Sequence, residues 1–241
     1  MALLDLRANN AIYFFIFASN LKNVMLKAVL FDMDGVIVDT EPLHRKAYHQ
    51  MFDDVSIDVN EDLYASFTGQ STINICKRLV NHFNLNETPE DLVSLKRKHY
   101  KVFFDNGGLE LIDGVLERIK DYHANDVKLV VASSASMMGI HQIFERFELN
   151  PYFSAKFSGA DLKQSKPHPE IFIKAAESTG FKKSECMVIE DSTNGIKAAN
   201  AAGIFCVGFK SEHSSHQDFT LANKVVSSFN EISYSKIANI I

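Results

Sequence analysis

From Leu26 onward, short runs that are apolar at nearly every position alternate with segments whose apolar residues recur at helical spacing. The runs Leu26–Phe31, Lys128–Ala132, Ala155–Ser158, Met187–Ile189 and Ile204–Gly208 predict strands, with a weaker one at Lys224–Ser227. Strands without polar alternation are covered on both faces, as in a parallel sheet. The segments between them, Val115–His123, Met138–Phe147, Pro169–Ser178 and Gly195–Ala202, read as helices. Pro169 suits a first helical turn, and Gly180 and Gly203 follow helix ends where a left-handed cap is wanted. The repeated strand–helix–strand pattern predicts an α/β fold, a Rossmann-like doubly wound parallel sheet.

One interval breaks the alternation. Between the first strand and Val115 the pattern is helical, with Ile73, Cys76, Leu79, Val80 and Phe83 on one stripe and Leu92, Leu95, His99, Val102 and Phe103 on another, and with almost no strand signal. The expected organisation is therefore an α/β core from residues 25–41 and 106–241, with a helical cap inserted at 42–105 and a return hinge at Asp105–Gly108. Residues 1–24 read as an extension outside the fold. Their apolar run Ala11–Ser19 falls short of the ~20 residues a membrane span needs, and with only Arg7 before it makes a poor signal peptide.

Composition narrows the function. At 241 residues and 46% hydrophobic, the chain holds one sizeable core or a core plus a smaller lobe, the profile of a soluble globular protein. With 25 basic against 30 acidic residues and no basic block, nothing suggests nucleic acid as a partner, nor a membrane. Small molecules are the expected partners, and a monomer or weak dimer the expected state. Three cysteines, Cys76, Cys186 and Cys206, lack metal-ligand spacing and sit among apolar neighbours, so buried free thiols and a cytoplasmic setting are expected.

In an open parallel sheet, ligands bind beyond the carboxyl ends of the strands. The residues that follow each predicted strand are Asp32 and Asp34; Ser133 and Ser134; Lys166 within "SKPHPEIF"; and Glu190, Asp191 and Ser192. Four carboxylates at one edge repel one another unless a cation sits among them, and hard oxygen donors in small number suit Mg²⁺, which completes its shell with water and substrate phosphate. Asp32, Asp34, Glu190 and Asp191 are the candidate metal residues. Lys166 and Ser133 are suited to hold phosphoryl oxygens, and phosphoryl transfer needs little beyond such a set. Asp39 and Glu41 read as acids at a helix start, and "HSSH" at His213–His216 as loop, since no third ligand lies nearby.

"DMDGV", "VVASS", "SKPHPEIF" and "IEDSTNGIKAANAAG" resemble, in order, the four motifs of the haloacid dehalogenase superfamily, and the inserted lobe is similar to that of its β-phosphoglucomutase-like branch. The resemblance implies that Asp32 is a nucleophile forming an aspartyl phosphate and that Asp34 is the acid/base. It also implies that Ser133 and Lys166 bind the phosphoryl group, and that Asp191, Asp32 and the Asp34 main-chain carbonyl hold Mg²⁺. In the cap, His44 and Lys98 match a histidine and a lysine of that branch, while Thr72 stands where it has an arginine; Gly69, Gln70 and Thr72 are further candidate contacts. A hydroxyl replaces a bidentate phosphate donor poorly. The expected activity is hydrolysis of a small phosphate ester, sugar phosphates included, with a phosphohexomutase as the alternative and a non-enzymatic phosphate-sensing module disfavoured because it needs neither Asp34 nor a cap.

Overall fold

The computed structural model describes residues 25–67, 72–211, 214 and 216–239. Its centre is a six-stranded, wholly parallel sheet. The central strand β1 (Ala28–Phe31) is followed by a short β2 (Val38–Asp39) and by four helices, α1 (Glu41–Asp54), α2 (Glu61–Ala65), α3 (Thr72–Phe83) and α4 (Pro89–Asp105). Then come β3 (Glu110–Leu111), α5 (Val115–Ala124), β4 (Lys128–Ser133), α6 (Met137–Arg146), β5 (Phe153–Ser158), α7 (Glu170–Thr179), β6 (Cys186–Glu190), α8 (Thr193–Ala202), β7 (Phe205–Phe209), β8 (Lys224–Val226) and a last turn of helix, α9 (Tyr234–Ile237). The strand order is β5-β4-β1-β6-β7-β8.

The strands lack polar alternation because each face of the sheet has its own helical cover. Val29, Phe31, Leu129, Val131 and Ile189 pack with Ile119 and Tyr122 of α5 and Phe144 of α6. Their alternate neighbours Ala28, Leu30, Val130, Ala132 and Val188 pack with Phe172 of α7 and Ile196 of α8. Full burial of one such side chain stabilises the fold by about 1.5–3 kcal/mol. Gly180 and Gly203 end α7 and α8 at φ 76° and 71°, the left-handed conformation expected of them. All three cysteines are buried and unpaired.

Helices α1 to α4 enclose a third apolar cluster that includes Met51, Phe52, Cys76, Leu79 and Leu92. Thr88 and Asp91 form a capping box at the start of α4, with Pro89 at its first positions. The expectation of almost no strand in this interval needs one correction. Val38–Asp39 pairs antiparallel with Glu110–Leu111, and Ile112 donates to the Ile37 carbonyl at 3.0 Å, so a small two-stranded ribbon gathers both ends of the helical group. Strands of two residues carry no period that a sequence can display. No helix among the described residues is long and apolar enough to cross a membrane.

Candidate active site

Sheet register assembles the site. Phe31 lies opposite both Val131 and Ile189, so the next residue on β1, Asp32, stands level with Glu190 at the end of β6, and Ser133 closes β4 alongside. The Asp32 amide continues the ladder by donating to the Ile189 carbonyl at 2.9 Å. Lys166, from the loop between β5 and α7, precedes a cis proline and inserts between these strand ends. Its ammonium donates to Asp32 and, at 2.7 Å, to Glu190 Oε1.

Glu190 is fully committed. Its Oε2 accepts from the Ser192 amide at 2.8 Å and from the Ser192 hydroxyl at 2.9 Å, while that same hydroxyl oxygen caps α8 by accepting from Gly195 N–H at 3.1 Å. A Cβ at Gly195 would overlap the Glu190 carboxylate, so α8 approaches this closely only because residue 195 has no side chain. Glu190 thus orients Lys166, and both of its oxygens are already bonded within the protein.

The two aspartates of "DMDGV" occupy different surroundings. Burial pushes the Asp32 carboxyl up, to about 7, against the pull of Lys166 and with Glu190 and Asp34 adding to the rise. For Lys166, burial alone would lower the pKa, but attraction to Asp32 and Glu190 outweighs it and the amine is held protonated. Asp34 is also raised by burial, moderated by hydrogen bonds from the hydroxyls of Thr40 and Ser133, the latter at a loose 3.4 Å. Asp191 is raised well above the usual carboxylate range by burial and by the neighbouring Glu190 and Asp32. Its carboxylate lies against Gly35, whose φ of 77° and lack of Cβ make room for it. Ser134, one residue past Ser133, is exposed beside Lys166.

A cavity of about 320 Å³ opens between the strand ends and the helical group, bordered by Asp34 and Asp191 below and by His44, Thr72 and Lys96 above. His44 stacks on Tyr100, with ring centroids 4.7 Å apart, and its Nδ1 lies 2.8 Å from the Lys96 ammonium. Burial and then Lys96 pull the His44 pKa down to about 3, so the neutral ring accepts from the lysine. Thr72 reaches the cavity, where its side chain hydrogen-bonds Tyr48. Gly69 and Gln70 lie outside the described residues.

Lys98 is exposed on the far side of α4. The lysine that enters the cavity is Lys96, which is only 5% exposed. Helical phase accounts for the difference: Lys96 continues the buried stripe of Leu92 and Val93 and stands one turn before Tyr100, whereas two further residues carry Lys98 round to solvent. Sequence reasoning also missed Thr40, and missed Ser211, Ser214 and Gln217 in the loop after β7, which border the cavity. His216 of "HSSH" is exposed beside a second cavity next to Lys166, and His213 lies outside the described residues. Among the described residues no three His, Cys, Asp or Glu side chains form a closed metal cluster.

Residues 29–209 match the family model described as haloacid dehalogenase-like hydrolase. The chain belongs to that family. A phosphorylated carbohydrates phosphatase of Thermotoga maritima is 30% identical over 179 residues, 74% of this chain and 82% of the relative. The solved structure of a β-phosphoglucomutase from Clostridium difficile is 27% identical with a TM-score of 0.70, covering 88% of this chain and 96% of that one. A family IA hydrolase from Entamoeba histolytica, at 22% identity and a TM-score of 0.75 over 89% of this chain and 99% of its own, shares the fold.

Proposed function

We propose that this chain, a phosphohydrolase of the haloacid dehalogenase-like family, is a Mg²⁺-dependent phosphatase of a small phosphorylated metabolite that works through an aspartyl phosphate on Asp32. The observation that carries the reading is the unequal setting of the two aspartates: Asp32 is bonded directly to the Lys166 ammonium, while Asp34, held by the Thr40 and Ser133 hydroxyls and a main-chain amide, borders the cavity. Burial raises both carboxyls, so place is what separates them: the ammonium bonded to Asp32 favours its ionised, nucleophilic form, and the cavity beside Asp34 puts that carboxyl where a leaving oxygen can take its proton.

In the first half-reaction an Asp32 oxygen attacks phosphorus, the ester P–O bond breaks, and Asp34 protonates the departing oxygen. Lys166 and the Ser133 hydroxyl bind the phosphoryl oxygens as their charge grows. In the second, Asp34, now a carboxylate, takes a proton from a water that attacks the aspartyl phosphate, freeing phosphate and restoring Asp32. Residues 42–105 act as a cap that excludes bulk water between the halves.

The donor set fits Mg²⁺. Asp32 and Asp191 are crowded carboxylates with raised pKa values, and with Glu190 occupied they leave few, hard oxygen donors, the kind of set that Mg²⁺ completes with water and substrate. Asp32, Asp191 and the main-chain carbonyl of Asp34 would hold the ion, which when bound neutralises phosphoryl oxygens as a Lewis acid. A screen of phosphorylated metabolites with Mg²⁺, with Asp32→Asn as the blank, tests the proposal. Phosphate release by the native chain alone supports it; no release from any ester, or equal release by Asp32→Asn, refutes it.

A further inference from the structure

The loop after β7 returns across the carboxyl edge of the sheet and is pinned there. Gln217 Oε1 accepts from the Thr193 amide at 2.8 Å, and Thr193 Oγ1 accepts from the Asp218 amide at 2.8 Å, so the start of α8 grips the loop from both sides. Ser214, 2% exposed, donates its hydroxyl hydrogen to the Ser211 carbonyl at 2.9 Å and accepts from the Ser211 amide at 2.8 Å. A backbone N–H can only donate, so the oxygen end of the Gln217 amide faces Thr193 and the NH₂ end is turned elsewhere. Among the described residues nothing accepts from it.

Gln217 borders both cavities, whereas Ser211 and Ser214 border only the one beneath the helical group. The cavity beneath the helical group touches Asp34 but neither Lys166 nor Ser133, which places it on the side where an ester's leaving group must lie. Its wall sets the Gln217 amide and the Lys96 ammonium, both donors, among carboxylate and hydroxyl oxygens that include Asp34 and Thr72. Hydroxyl groups, each donor and acceptor at once, match such a wall. A second phosphate is repelled by the four carboxylates that line it, Asp34, Asp39, Glu41 and Asp191.

We propose that Gln217 is a specificity-determining residue whose amide NH₂ donates to a hydroxyl or carbonyl oxygen in the leaving group of a polyhydroxylated phosphomonoester. This rests on the phosphohydrolase reading above. The test compares kcat/KM for glucose 6-phosphate, ribose 5-phosphate and phenyl phosphate in the native chain, Gln217→Met and Gln217→Glu. The glutamate still accepts from Thr193 and so keeps the loop anchored. Phenyl phosphate has no leaving-group oxygen beyond the ester itself, so it reports any general damage. Gln217→Met is expected to lose about 3- to 10-fold more on the sugar phosphates than on phenyl phosphate, and Gln217→Glu, whose carboxylate can accept from a sugar hydroxyl, a smaller excess. Equal losses on all three, no loss, or a native preference for phenyl phosphate over both sugars overturns the proposal. Absence of hydrolysis of every ester by the native chain overturns the phosphohydrolase reading and this proposal with it.

Discussion

Lys96 is a charge kept in an apolar place, and replacing it gives a prediction that runs against ordinary expectation for a buried residue. Burial lowers its pKa from 10.5 to about 8 even though Glu41 pulls the other way. That gap corresponds to about 3 kcal/mol spent on holding the amine charged in the folded protein at neutral pH. Lys96→Met removes the cost and keeps most of the volume. It forfeits the hydrogen bond to His44, about 1 kcal/mol, and the approach of the ammonium to Tyr48 and Tyr100 at 5.1 Å each, about 1 kcal/mol more. The variant should therefore be about 1 kcal/mol more stable than the native chain at neutral pH by urea denaturation. The pH dependence is the sharper part. Because the folded lysine sheds its proton before the unfolded one, native stability rises relative to the variant as pH climbs from about 8 toward 10.5, by about 2 kcal/mol at about pH 9.5. A variant less stable at neutral pH by 2 kcal/mol or more, or a difference flat with pH, would refute the reasoning.

Asp34→Asn should lower turnover at least a hundredfold, within the range that general acid–base groups supply, while Mg²⁺ binding followed by calorimetry stays near the native value. Gly195→Ala drives a methyl group into the Glu190 carboxylate that holds Lys166; it should lower stability by about 1–3 kcal/mol in a urea titration and reduce activity with it. Removing divalent ions with EDTA should abolish phosphate release and restoring Mg²⁺ should recover it, whereas full activity in EDTA would remove the metal from the account.

Most of the sheet was legible in the chain because burial on both faces leaves an unbroken apolar signature, as in the fully buried Ala28–Phe31 and Cys186–Glu190. The acids, hydroxyls and lysine at the strand ends were legible for a related reason: once the strands are located, topology dictates which residues meet. Three features escaped. The β2–β3 ribbon is two residues on each side and displays no period. Lys98 was singled out by motif position, whereas it is the helical phase of Leu92, Lys96 and Tyr100 that turns Lys96 into the cavity. The loop of Ser211, Ser214 and Gln217 carries no motif; only its hydrogen bonds to Thr193 bring it to the site, and such long-range pairing leaves no local trace.

The central claim is that Asp32 becomes covalently phosphorylated. Acid-quenched single-turnover samples with a substrate found in the ester screen, digested and analysed by mass spectrometry, read this directly. The account predicts one added phosphoryl group on the peptide containing Asp32 in the native chain during turnover, absent from Asp32→Asn. Turnover with no phosphorylated Asp32 peptide at any time point, together with retained activity in Asp32→Asn, would contradict it.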